Sequence, residues 1–112
     1  MKVQLLWFNG CPNHEDARAL LRLVMAERRI TLDIDDVDAT DPRVAERYRS
    51  PGSPTVRVND RDVEPGFVDP GDYTPRCRLY PTSAGLRGLP ERRWIEDALD
   101  EAQHAHGEER RA

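Results

Sequence analysis

The sequence predicts an α/β domain with the element order βαβαββα and an irregular, cysteine-bearing insertion before the last helix. Three observations predict it. An apolar run, Val3 to Phe8, is followed at once by a turn and a helical apolar stripe, the opening of a β-α-β unit. Asn59-Asp60-Arg61-Asp62 separates two short strand-like runs, as in a hairpin. A second helical stripe near the C-terminal end closes the pattern. The chain has 112 residues, enough for one domain with one modest core. Residues 1–106 are expected to form that domain, and 107–112 a frayed polar tail.

Each element has a local cause. Val3 to Phe8 carries a single polar residue, Gln4, and reads as a central, buried strand. Asn9-Gly10 ends it. Pro12 suits the first position of a helix, where a missing N–H costs nothing, so Cys11 is expected as the N-cap. Ala17, Leu20, Leu21, Val24 and Met25 then form one buried stripe. Glu15 and Asp16 fall in the first turn, and Arg28 and Arg29 at the end, each favourable to the helix dipole. Ile30, Leu32 and Ile34 alternate with Thr31, Asp33 and Asp35, which predicts a strand with one wet face near the sheet edge. Asp41-Pro42 opens a short helix to about Arg49, with Asp41 as N-cap. Ser50-Pro51-Gly52-Ser53-Pro54 is a dense turn, and Thr55 to Val58 the next strand. A short strand around Val63 follows the hairpin turn.

Residues 64–90 are rich in Pro and Gly yet retain Leu79 and Tyr80, so they read as an ordered excursion carrying Cys77. Pro90 opens the last helix, with Trp94, Ile95, Ala98, Leu99 and Ala102 on one side. The β-α-β crossover makes the first two strands parallel and the hairpin makes the later two antiparallel. Helices on both faces of the sheet close the fold.

Composition narrows the function. The formal net charge of -4 argues against a general nucleic-acid surface, which is usually basic. No apolar run approaches the length of a membrane span. The first eight residues are too soon interrupted for a secretory signal, so a cytoplasmic protein is expected. In a reducing compartment two cysteines are more often catalytic, redox or metal-binding than structural.

Cys11 is the first candidate for chemistry. At an N-cap its thiolate would face unpaired helix N–H groups and the positive end of the dipole. His14, three residues on, would share its helix face and add a positive charge as imidazolium. Cys77 is the candidate second thiol; its alternative role is a buried apolar cysteine beside Leu79 and Tyr80. A zinc site of Cys11, His14 and Cys77 would lack a fourth protein ligand, so no metal and no cofactor is expected.

The run Gly10-Cys11-Pro12-Asn13-His14 between a strand and a helix, with Gly52-Ser53-Pro54-Thr55-Val56 later, resembles the thioredoxin superfamily. That resemblance implies a thioredoxin-like fold, a reactive Cys11, and a cis proline at Pro54 with Ser53, Pro54 and Thr55 lining the substrate groove. The chain departs from the family in having His14 where Cys-x-x-Cys places its second cysteine. Cys77-Arg78-Leu79-Tyr80, followed by Thr82-Ser83-Ala84 and Gly85-Leu86-Arg87-Gly88, is loosely similar to the organomercurial (alkylmercury) lyase catalytic core. This second resemblance implies that Cys11 and Cys77 act as its two thiols, with His14, Glu15 or Asp16 near the position of its proton donor.

Three functions stay open. In the first, a thiol redox protein, Cys11 attacks a disulfide or an oxidised substrate and Cys77 resolves the intermediate. In the second, the two thiolates bind a soft metal or an organomercurial, and His14, Glu15 or Asp16 supplies a proton. In the third, a non-catalytic module binds a peptide in the groove around Pro54.

Overall fold

The computed structural model describes residues 1–105 in full and the last part of the final helix as backbone only. The polar tail expected over 107–112 falls on the backbone-only end of the final helix and on residue 112, which lies outside the described residues. The elements are β1 (Val3–Trp7), α1 (His14–Glu27), β2 (Asp35–Asp38), α2 (Pro42–Arg47), β3 (Thr55–Val58), β4 (Arg61–Asp62), β5 (Tyr80–Thr82), β6 (Gly85–Arg87) and α3 (Arg92–Arg111). Four strands form a mixed sheet in the order β2-β1-β3-β4, with β1 parallel to β2 and antiparallel to β3. The fold is therefore α/β, with the expected order of the first six elements and a helix at the end.

Alternation along the strands assigns the two faces. Val3 and Leu5 of β1, with Val58 and Val56 opposite them, join the stripes of α1 and α3: Ala17, Leu21, Val24 and Met25, and Ile95, Leu99 and Ala102. Burying a leucine such as Leu21 or Leu99 contributes about 1.5–3 kcal/mol. The opposite face carries Gln4, Leu6, Thr55 and Arg57. Here the Arg57 guanidinium donates to the carbonyls of Tyr48 (2.7 Å) and Arg49 (2.8 Å) at the end of α2. Asp41 caps α2 as expected, accepting from the Arg43 N–H at 2.9 Å.

Three expectations need correction. The second strand is not the alternating run Ile30 to Ile34 but Asp35–Asp38. Ile30, Leu32 and Ile34 pack on the core as a connecting segment instead. A helix of 14 residues carries the chain back along the sheet, and the segment after it must return that length before a parallel strand can begin. The acidic strand is then held by side chains of β1 and α1. Gln4 donates to Asp35 (2.9 Å), Trp7 Nε1 to Asp36 (2.5 Å), and Arg18 pairs with Asp36 (2.6 Å).

Secondly, Cys11 is not the N-cap of α1. Asn13 is, without a side-chain capping bond, and its carbonyl accepts from the Ala17 N–H at 3.0 Å. Pro12 serves a turn before the helix, a role its fixed φ suits equally well.

Thirdly, residues 64–90 are not wholly irregular. They contain the hairpin of β5 and β6, pairing Tyr80 with Arg87 and Thr82 with Gly85. Gly85, at φ 98°, takes the turn conformation that a side chain disfavours. Strands of three residues are too short to declare a period of two.

Candidate functional site

The sheet brings the candidate residues to one end. Cys11 follows β1, and Ser53-Pro54 precedes β3; because these strands are antiparallel, with Leu6 opposite Thr55, both loops lie at the same end of the sheet. The Cys11 N–H donates to the Phe8 carbonyl at 3.1 Å, which folds the loop back over the strand end. The Ser53–Pro54 peptide is cis, as expected.

Cys11 is buried, with 2% of its surface exposed. Its sulfur donates to the Ser53 carbonyl at 3.4 Å. Its partner is thus a loop carbonyl, where an N-cap position would have supplied helix N–H groups.

The 64–90 excursion returns to the same place. The Ser53 N–H donates to the Arg76 carbonyl at 2.8 Å, and the Arg78 N–H donates to the Ser53 carbonyl at 2.9 Å. These two bonds form a short parallel bridge between Ser53 and Cys77. Cys77 lies exposed, as a free thiol, and Cys11 is likewise unpaired. Desolvation first, then the neighbouring Cys11, push the Cys77 thiol above its ordinary range.

A buried ionic network fixes the excursion beside Cys77. Arg78, its side chain 7% exposed, donates to Asp62 (2.6 Å), Glu64 (2.8 Å) and the Thr55 hydroxyl (3.0 Å). Its guanidinium also stands over the rings of Tyr80 (4.3 Å) and Phe67 (4.9 Å). The carboxylates outweigh the cost of burial and hold Arg78 charged, above its ordinary range. Tyr80, fully buried, donates its hydroxyl to the Pro54 carbonyl, and burial holds that phenol well above its usual range. Gly52 makes the approach feasible: an added Cβ would lie 3.0 Å from the Arg78 Cβ and 3.3 Å from the Arg76 carbonyl oxygen.

Other expected residues stand elsewhere. The His14 ring stacks on Trp7 at 4.5 Å between centroids, and its buried Nδ1 has no hydrogen-bond partner among the described residues. Cys11 lies outside the helix, so the three-residue spacing does not set it on a shared face with His14. Glu15 and Asp16 are exposed on the first turn of α1. Leu79, expected to help bury Cys77, is 63% exposed. Among the described residues no group of three or more His, Cys, Asp or Glu side chains is placed to hold a metal ion. No described helix is long and apolar enough to cross a membrane.

The network of Arg78, Asp62, Glu64 and Tyr80 is absent from the sequence expectations. One signal pointed to it. Asp62 and Glu64 stand two apart on a strand-like run, so their carboxylates share a face and require a buried cation. No protein-family model matches the chain, and no curated protein or solved structure matches it either.

Proposed function

We propose that this chain is a thioredoxin-like dithiol redox protein in which Cys11 and Cys77 cycle between two thiols and one disulfide. One observation carries the reading: Ser53 stands beside both cysteines, accepting from the Cys11 thiol and bonding its backbone to Arg76 and Arg78 on either side of Cys77. The strand order, and the fall of Cys11 and Pro54 at one end of the sheet, support the thioredoxin-like part. Cys77 then takes the place of the second cysteine that Cys-x-x-Cys would supply. In thiol–disulfide exchange the two electrons and two protons that the cysteines give up pass to the substrate disulfide, which is reduced to two thiols.

Equilibration in glutathione buffers of graded ratio, followed by thiol counting, tests this. Two thiols should be lost together in one transition, and Cys77→Ser should abolish it. Independent loss of single thiols as glutathione adducts would contradict it. The same thiol pair also suits a soft cation, which two thiolates bind readily; protection of both cysteines from alkylation by stoichiometric Hg(II) tests that second reading. The exposure of Glu15 and Asp16 favours binding over protonation of a leaving carbon.

A further inference from the structure

A peptide that docks by main-chain pairing needs a free N–H and C=O on its receptor. Ser53 has neither to offer. Its N–H goes to Arg76, and its carbonyl accepts from Arg78 and from the Cys11 thiol. The Pro54 carbonyl is taken by the Tyr80 hydroxyl. Thr55 Oγ1 donates to the Gly52 carbonyl at 2.7 Å and accepts from Arg78. Residues 50–56 are buried throughout. The chain's own residues 76–80 therefore fill the groove that was expected to receive a peptide.

This cover is fastened. Displacing it would strip Asp62, its side chain 2% exposed, of its guanidinium, and a buried charge left without its partner costs about 3–5 kcal/mol. Cys77 sits on the outer side of the cover, exposed, while Cys11 lies beneath it at 2% exposure.

We propose, resting on the dithiol reading above, that this site takes low-molecular-weight disulfides rather than protein disulfides, and that Cys77 makes the first attack. The Cys77 thiolate attacks one sulfur of RS–SR. The S–S bond breaks, and its electron pair leaves with RS⁻, which takes up the proton Cys77 released. Cys11 then gives up its proton, and its sulfur attacks Cys77 Sγ, expelling the second RS⁻. The substrate disulfide is reduced to two RSH, and the two cysteines are oxidised to one disulfide. This reverses the order in which Cys11 attacks and Cys77 resolves.

The test uses the full chain with oxidised glutathione and, separately, insulin, at equal disulfide concentration. Adducts are mapped by mass in wild type, Cys11→Ser, Cys11→Ala and Cys77→Ser. Both Cys11 variants should trap glutathione on Cys77. Cys77→Ser should trap it on Cys11 at least about tenfold more slowly, and insulin should oxidise the wild type at least about tenfold more slowly than glutathione, because exchange requires that the attacking thiol reach the disulfide. Equal rates at the two cysteines, or equal rates with the two oxidants, would overturn the proposal while leaving the dithiol reading intact. Failure of the wild type to form a Cys11–Cys77 bond with either oxidant would overturn both.

Discussion

Ser53 and Cys77 are joined by a two-bond parallel bridge, its N–H···O distances 2.8 and 2.9 Å, on the same residue whose carbonyl accepts from the Cys11 thiol. This juxtaposition draws on Gly52, where an added Cβ would crowd Arg76 and Arg78 and the backbone stands at φ 150°. Gly52→Ala should lower stability by about 1–3 kcal/mol through overpacking. It should also push the 76–78 segment outward and raise the alkylation rate of Cys11 in the native protein. Unchanged alkylation of Cys11 would mean that the segment is not its cover.

Arg78 neutralises two carboxylates at once, one of them almost completely buried. Arg78→Met should cost about 3–5 kcal/mol in urea unfolding, because Asp62 is left charged and unpaired. Adding Asp62→Asn to that variant should recover part of the loss. A loss under 1 kcal/mol for the single change, roughly the worth of a surface pair, would show that the network is solvated.

Tyr80 links the excursion to the Pro54 loop, and burial raises its folded-state ionisation above the unfolded value of about 10. A raised acid binds its proton more tightly when folded. Its contribution is therefore complete below about pH 10 and is lost as pH rises from there towards the folded value. Stability should fall steeply on that alkaline side. Tyr80→Phe should flatten the fall and lower stability at neutral pH by about 1–3 kcal/mol, since the Pro54 carbonyl loses its donor. An unaltered alkaline limb in Tyr80→Phe would assign that limb to other groups.

Alkylation of Cys77 should follow a pH profile displaced to the alkaline side of an ordinary thiol, because burial and Cys11 both raise it. Cys11→Ala removes the second cause, so the profile should move to lower pH while staying above the ordinary position. A profile that Cys11→Ala leaves in place would separate the two thiols.

The order of elements was legible because it rests on long signals. Val3 to Trp7, the stripe of α1 and that of α3 each bury several side chains in a fixed period, and Asp41-Pro42 caps α2 by local chemistry. The shift of β2 from Ile30–Ile34 to Asp35–Asp38 was not legible. Alternating isoleucines report burial on the core, whereas parallel pairing is set by how far the connection must return. The position of Cys11 was misread by two residues because Pro12 fits a turn as well as a helix start. That error changes the chemistry: the Cys11 thiol meets the Ser53 carbonyl instead of helix N–H groups. The joining of Cys77 to Ser53 was not legible, since it rests on Arg78 and on bonds between segments more than twenty residues apart, which no local pattern encodes.

The most direct measurement is peptide mapping of the full chain after mild oxidation under native conditions, without prior unfolding. One linked pair, Cys11 with Cys77, is expected in monomeric protein, with both thiols lost together and recovered together on reduction. Protein that retains two free thiols, or that is consumed as dimers bridged through Cys77, would contradict it.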